Sequence, residues 1–189
     1  MDLILLQPGN VDIFGGPNNV DNGGSLIDDV WRDEVLKLGQ CLELVSVHHG
    51  MKQQLTTDVS NSARTSGRPI ITEFTCVKYV DKTSVKLYDH CLRAAPLDPG
   101  TNDKPTKIYI ARNSGDKTAN IITMALRDTL ISEIQFQSHP DDMPTEQFKL
   151  NFTEILWTYT IQNVKVGTPG NLQAGWSIMH NRPLGASFS

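Results

Sequence analysis

The sequence predicts a mainly β domain, a run of long antiparallel strands with one amphipathic helix, and three observations carry that prediction. First, apolar residues hold one parity through Ile122, Met124, Leu126, Leu130, Ile134 and Phe136, interrupted only by Asp128 and Ser132. Period 2 sustained this long marks a long strand, or two in line, with one buried face. Second, Phe148, Leu150 and Phe152 continue the alternation before the apolar set switches parity to Ile155, Trp157, Tyr159 and Ile161. A β-bulge or sharp bend near Thr153 and Glu154 would produce that switch. Third, Leu87, Tyr88, Cys91, Leu92 and Ala95 recur at helical spacing and form one apolar stripe. Asp81, Thr83 and Ser84 offer oxygens to cap the free N–H groups at its start, and Pro96 ends it. Long bent strands suit a small barrel or two sheets packed face to face, with the helix stripe covering one open edge or flank.

In chain order, Leu3 to Gln7 is a short apolar strand closed by Pro8-Gly9-Asn10. The glycine- and asparagine-rich stretch that follows makes residues 9 to 26 mostly loop, with a helical turn predicted between Ser25 and Leu38, so that about 9–40 is a loop-rich insertion. Cys41 to Leu55 is the next strand. From Thr56 the composition turns polar, and about 56–69 is predicted as a long exposed loop, a length that usually has a function. Ile70 to Val80, rich in Ile, Thr, Phe, Val and Tyr, is a strand that feeds the helix. Lys107 to Asn113 is a strand turned at Ser114-Gly115-Asp116, and Trp176 and Ile178 mark the last strand. The 189 residues read as a single domain, 1–189.

Composition narrows the function. The hydrophobic content is 39%, charged residues make up 20%, and the net charge is −4. That charge argues against a nucleic acid or an anionic membrane surface as partner. No segment is long and apolar enough to span a bilayer, so no membrane insertion is expected. Met1 to Gln7 has no basic n-region and carries Asp2 where a signal peptide would be positive, so synthesis and folding are expected in the cytosol. Cys41, Cys76 and Cys91 are odd in number and lack CxxC spacing; they read as reduced thiols.

The residues that could carry chemistry do not assemble into an active site. His48 and His49 are adjacent on a strand and point to opposite faces, so they do not readily share a metal with His90 or His139. His139-Pro140-Asp141-Asp142 reads as a solvated turn. His90 and Cys91 diverge on a helix and do not form a Cys/His pair. The glycines near Gly15 and Gly23 lack phosphate-loop and dinucleotide spacing. No catalytic residue, metal or cofactor is predicted, and the chain is expected not to be an enzyme. A small-ligand barrel, with an apolar cavity inside the strands, and a metal hydrolase using the scattered histidines are the competing classes.

Val77 to Leu87, VKYVDKTSVKL, resembles the haemolysin-coregulated protein (Hcp) family, which forms the tube of bacterial type VI secretion systems. Lys78, Tyr79, Asp81, Lys82, Ser84 and Leu87 match its KYxDKxSPxL signature, and Val85 stands where the family has proline. The likeness resumes at Pro144, Thr145, Glu146, Leu150, Asn151 and Phe152 and at Gly175-Trp176, so that it spans roughly residues 41 to 180. It implies a β-barrel of two packed sheets flanked by one α-helix. It further implies homohexameric rings that stack into a hollow tube, driven out of the cell by a contractile sheath behind a spike protein, with effectors in the lumen. The protein would then be cytoplasmic first and afterwards secreted through that system without a signal peptide.

Three expectations about sites follow. Leu87, Cys91 and Leu92 should pack the helix on its own barrel, so that Leu92→Asp costs several kcal/mol by burying a charge. The segment from Thr56 to Arg68 should touch a neighbouring subunit or the next ring, anchored by Arg64 and Arg68, whose guanidinium groups make bidentate contacts. Ser46 and His48 share a parity opposite to that of Val45, Val47 and His49; the apolar set should face the core. The resemblance then suggests that Ser46 and His48 line the lumen and touch cargo.

Overall fold

The structure, a computed structural model, describes residues 2–16, 37–58, 63–98, 104–114, 117–160, 171–185 and 188. The strands run in order β1 (Asp2–Gln7), β2 (Leu42–Glu43), β3 (Ser46–His48), β4 (Met51–Lys52), β5 (Leu55–Asp58), β6 (Ala63–Ser66), β7 (Ile70–Ile71) and β8 (Phe74–Tyr79). Helix α1 (Ser84–Arg93) comes next. Strands β9 (Thr106–Ser114), β10 (Lys117–Arg127), β11 (Leu130–Gln137), β12 (Thr145–Asn151), β13 (Glu154–Thr160), β14 (Asn171–Ser177) and β15 (Arg182–Leu184) complete the chain.

Two antiparallel sheets form the barrel. Seven strands run in the order β15-β14-β13-β10-β9-β1-β2 and four in the order β11-β12-β8-β3. Three stretches of chain belong to both sheets: β2 leads into β3, β10 into β11 and β12 into β13. At the first corner the N–H of Leu44 bonds to Ile4 in one sheet (2.9 Å) and that of Val45 to Val77 in the other (2.7 Å). The expected bend near Thr153 is the corner between β12 and β13, where the N–H of Thr153 donates to the carbonyl of Arg127 (3.0 Å). At the neighbouring corner Asp128 takes a left-handed conformation, φ 49°. Buried Asp98 holds it there, accepting from the N–H groups of Asp128 (2.9 Å) and Thr129 (2.7 Å). Burial pushes the Asp98 carboxyl above its usual range, and these two backbone bonds oppose the shift.

The core lies between the sheets and follows the strand alternation. Phe74 and Cys76 on β8 and Phe148 and Leu150 on β12 point inward, against Leu6, Ile108, Leu126 and Ile155 of the larger sheet. A satellite cluster of Leu3, Leu5, Cys41, Tyr109 and Ala111 lies on the opposite face of β1 and β9. Burial pushes the Cys41 and Cys76 thiols up to about 12, and all three cysteines are free.

Four expectations meet the structure differently. Within the insertion at 9–40, Asn10 caps a 3-10 turn over Val11–Phe14, accepting from the N–H of Asp12, and the turn sends Ile13 and Phe14 into the main core. Lys37 and Leu38 are helical; the rest of the turn expected at Ser25 to Leu38 lies outside the described residues. The stretch at 56–69 carries strands rather than a loop. It is the tip of an arm in which β4 pairs with β7 and β5 with β6. Thr56, Thr57 and Thr65 are β-branched, and the ladder satisfies backbone groups that a polar loop would leave to water.

Leu92 is the clear correction. It is 85% exposed, whereas Ser84, Leu87 and His90 form the buried stripe of α1 and Cys91 is half-buried. At about 100° per residue, Leu92 stands about 140° round the helix from Leu87, too far to share its face. Val45 likewise departs from the expected inward set and is half exposed.

Candidate assembly and cargo surface

On the four-stranded sheet, residues that alternate with the core positions line up in straight rows across the strands. His48, Thr75, Lys149 and Glu133 sit directly opposite one another on β3, β8, β12 and β11. Ser46, Val77, Gln147 and Gln135 form the next row. Lys149 donates to Glu133, and that bond holds the glutamate below and the lysine above its usual range. Beside them Glu73 accepts from Ser132 Oγ and Asn151 Nδ2, both at 2.8 Å. His48, Thr75 and Lys149 line a shallow hollow of about 330 Å³ with Glu73, Thr72 and His49. The sheet therefore presents hydroxyls, amides and one ion pair to the outside, a surface able to make many weak polar contacts with a partner.

The paired histidines divide as their parity predicts. His48 is exposed, while the His49 ring stacks on Phe74 (4.0 Å between centroids, 11°) near Phe152 and Trp157. Burial holds His49 below its usual value. The unfolded chain thus takes the proton more readily, so this contribution to stability is whole above about pH 6.5 and is lost as pH falls below it. The midpoint of thermal unfolding should drop between about pH 7.5 and about pH 5, and His49→Phe should drop less over the same interval. An equal drop in both proteins would remove His49 as a cause. Among the described residues, no three His, Cys, Asp or Glu side chains converge to hold a metal.

The other predicted residues are spread around the barrel. Arg64 lies on β6 opposite Thr57. Arg68 is exposed at the base of the arm, where it donates through Nη2 to the carbonyl of Ile178; its partner there is its own chain. This bond bridges a cleft of about 830 Å³ between the arm and β13–β14, walled by Met51, Ile71, Trp157 and Trp176.

The residues of the signature meet in one buried network. Lys78, only 1% exposed, places its ammonium 3.0 Å from Glu146 Oε1 and 3.1 Å from Asp81 Oδ1. It also donates to the carbonyl of Tyr79 (2.8 Å) and to Ser84 Oγ (3.3 Å). Ser84 Oγ in turn donates to Glu146 Oε1 (2.8 Å) and accepts from the N–H of Asp81 (3.0 Å). Asp81 Oδ1 accepts from the N–H of Thr83 (2.8 Å), whereas the Thr83 side chain caps nothing. The network joins β8, β12 and the first turn of α1, and so sets where the helix starts. A signal was available: Lys78 shares the inward parity of Phe74 and Cys76, and Glu146 that of Phe148 and Leu150.

Comparison with known proteins places this architecture. A family model described as "Type VI secretion system effector, Hcp" matches residues 39–159. No curated protein matches the sequence. Among solved structures, one titled "Structure of a type six secretion system protein" is similar with a TM-score of 0.73 at 19% identity, covering 97% of this chain and 100% of its own. Hcp1 from Salmonella typhimurium is similar at 0.65 and 16%, covering 97% and 99%. A type VI secretion system effector from Yersinia pestis is similar at 0.54 and 15%, covering 92% and 98%. At these identities the structural likeness speaks for the fold.

Proposed function

The chain belongs to the Hcp family of type VI secretion proteins, and from that premise we propose that it is a subunit of the inner tube, closing with five further copies into a ring that stacks on others. On this reading the chain is a secreted structural protein rather than an enzyme. The observation that carries the reading is the polar face of the four-stranded sheet, set in straight rows on the outside of a packed core. Six such faces turned inward make a lumen wall of mostly polar side chains, which grips a passenger weakly enough to release it. The arm of β4–β7 leaves the barrel at one edge of that sheet and reaches a neighbour or the next ring; Arg64 and Arg68 stand along it. The sheath, the spike protein and secreted effectors are the partners this reading implies, with export from the cytoplasm through the type VI system. Among the described residues no helix is long and apolar enough to cross a membrane.

Native mass spectrometry tests the ring. The purified protein should appear as hexamers, and a variant with residues 56–66 replaced by a short turn should stay folded and assemble less. A protein that remains monomeric at high concentration defeats the reading. The small-ligand barrel has the 830 Å³ cleft in its favour and needs no ring, so the same spectrum separates the two. For cargo, His48→Glu should leave the hexamer intact and reduce co-purification of a cognate effector; undiminished retention would take His48 out of the cargo surface.

A further inference from the structure

Among the described residues, two groups of large apolar side chains are left in solvent, one beside each edge of the four-stranded sheet. At the β11 edge lies α1, which packs on that strand. Val85 and Leu92 are 73% and 85% exposed and seven residues apart, so they fall on one outward stripe two turns long. Phe136 on β11 is exposed as well. At the β3 edge the arm departs, and with it a second apolar surface. Met51, Leu55 and Ile70 are exposed along the arm. Trp157 and Trp176 line the other wall of the cleft, and their face of β13–β14 continues to the exposed cross-strand pair Tyr159 and Leu172. Alongside, Trp157 lies opposite Ala174, a small partner that leaves the 830 Å³ cleft open beside the tryptophans.

Monomeric proteins seldom leave two such surfaces bare. A two-fold dimer would bury one kind and leave the other in water. Head-to-tail association buries both, and when the rotation closes it gives a ring. Resting on the tube reading above, we infer that the outward stripe of α1 on one copy docks into the arm cleft of the next, making this pair of faces the lateral contact of the ring. The geometry agrees with the lumen assignment. If the polar face of the four-stranded sheet turns inward, its two edges, and therefore the helix and the arm cleft, are what adjacent copies present to each other. The stripe is narrow and aliphatic and the cleft is walled by aromatic rings, so leucine and valine enter as anchors of the kind that dominate interface energy.

Two single variants test this, Leu92→Glu on the stripe and Leu172→Glu beside the cleft, on the β14 wall. Both sites are exposed, so each variant should melt like the parent. A carboxylate buried at the contact should weaken self-association at least about a hundredfold, and native mass spectrometry should find monomers. Mixed together, the two should form a heterodimer and nothing larger, because Leu92→Glu keeps a sound cleft and Leu172→Glu keeps a sound stripe. Val85→Glu and Leu55→Glu replace either variant that melts early. Variants that still form the parental ring, or a mixture that stays monomeric, overturn the assignment while the parental hexamer upholds the tube reading. A parent that is itself monomeric overturns both.

Discussion

Lys78→Met is expected to lower stability by about 3–5 kcal/mol, the cost of removing one partner from a buried ion pair. Three formal charges meet at the strand-to-helix junction, one positive on Lys78 and two negative on Asp81 and Glu146, all on side chains no more than 4% exposed. Glu146 Oε2 is buried with no hydrogen-bond partner. Methionine keeps most of the lysine volume, so the loss isolates the charge. Two carboxylates would remain without the ammonium that holds them, and Ser84 Oγ and the Tyr79 carbonyl would each lose a donor. The start of α1 hangs on the same atoms, so helix signal should fall with stability. Denaturant titration followed by circular dichroism reads both. Adding Glu146→Gln to Lys78→Met should recover part of the loss, since it removes one uncompensated charge. A loss under about 1 kcal/mol for Lys78→Met would mean that the network is not holding the junction.

Gly9→Ala should cost about 3 kcal/mol or more, at or beyond the upper end for overpacking. A Cβ on Gly9 would lie 2.0 Å from the Lys104 carbonyl oxygen and 3.1 Å from Asp98 Cβ. The first obstacle is backbone, and neither side has room to yield. Six residue pairs of the β1–β9 ladder, up to Gln7 opposite Lys107, fix the approach from one side. On the other, the N–H of Asn10 bonds to the Leu97 carbonyl at 2.7 Å, next to Asp98. Gly185→Ala is the control. Its Cβ would meet nothing within 4 Å, and its melting point should hardly move. If both variants melt together, the close approach at Gly9 is not a constraint on the native chain.

How much of this fold the residues declare depends on whether the information is local. The parity of Phe148, Leu150 and Phe152 against Ile155 and Trp157 is local, and it places the β12–β13 corner within a residue or two. The polar parity of Ser46 and His48 is equally local, and the rows across the sheet follow once the strands pair. The face that a helix buries is not local when apolar residues occur on more than one side of it. Leu87, Cys91 and Leu92 look equivalent by spacing, but α1 buries Ser84 and His90 beside Leu87, because two of its inward positions are polar and serve the junction and the C-terminal turn. The apolar residues displaced from that face, Val85 and Leu92, are the ones left exposed to solvent. The arm is not legible for a related reason. Threonine- and serine-rich segments suit exposed ribbons as well as loops, and only the pairing of Leu55–Asp58 with Ala63–Ser66 distinguishes them. The Lys78–Glu146 pair spans 68 positions of sequence, a separation no local pattern encodes.

The strands that pass from one sheet into the other bear on how a wall of these subunits would carry load. In a sandwich whose sheets are joined only by surface loops, a sideways force is resisted by side-chain contacts, which slip one at a time. Here β2–β3, β10–β11 and β12–β13 run through the corners as covalent chain, hydrogen-bonded on both sides of each bend. Sliding one sheet over the other would have to rupture ladders in both sheets together. The subunit should therefore behave as one stiff brick, failing all at once or not at all, and compliance in a stack of them would be left to the joints between bricks.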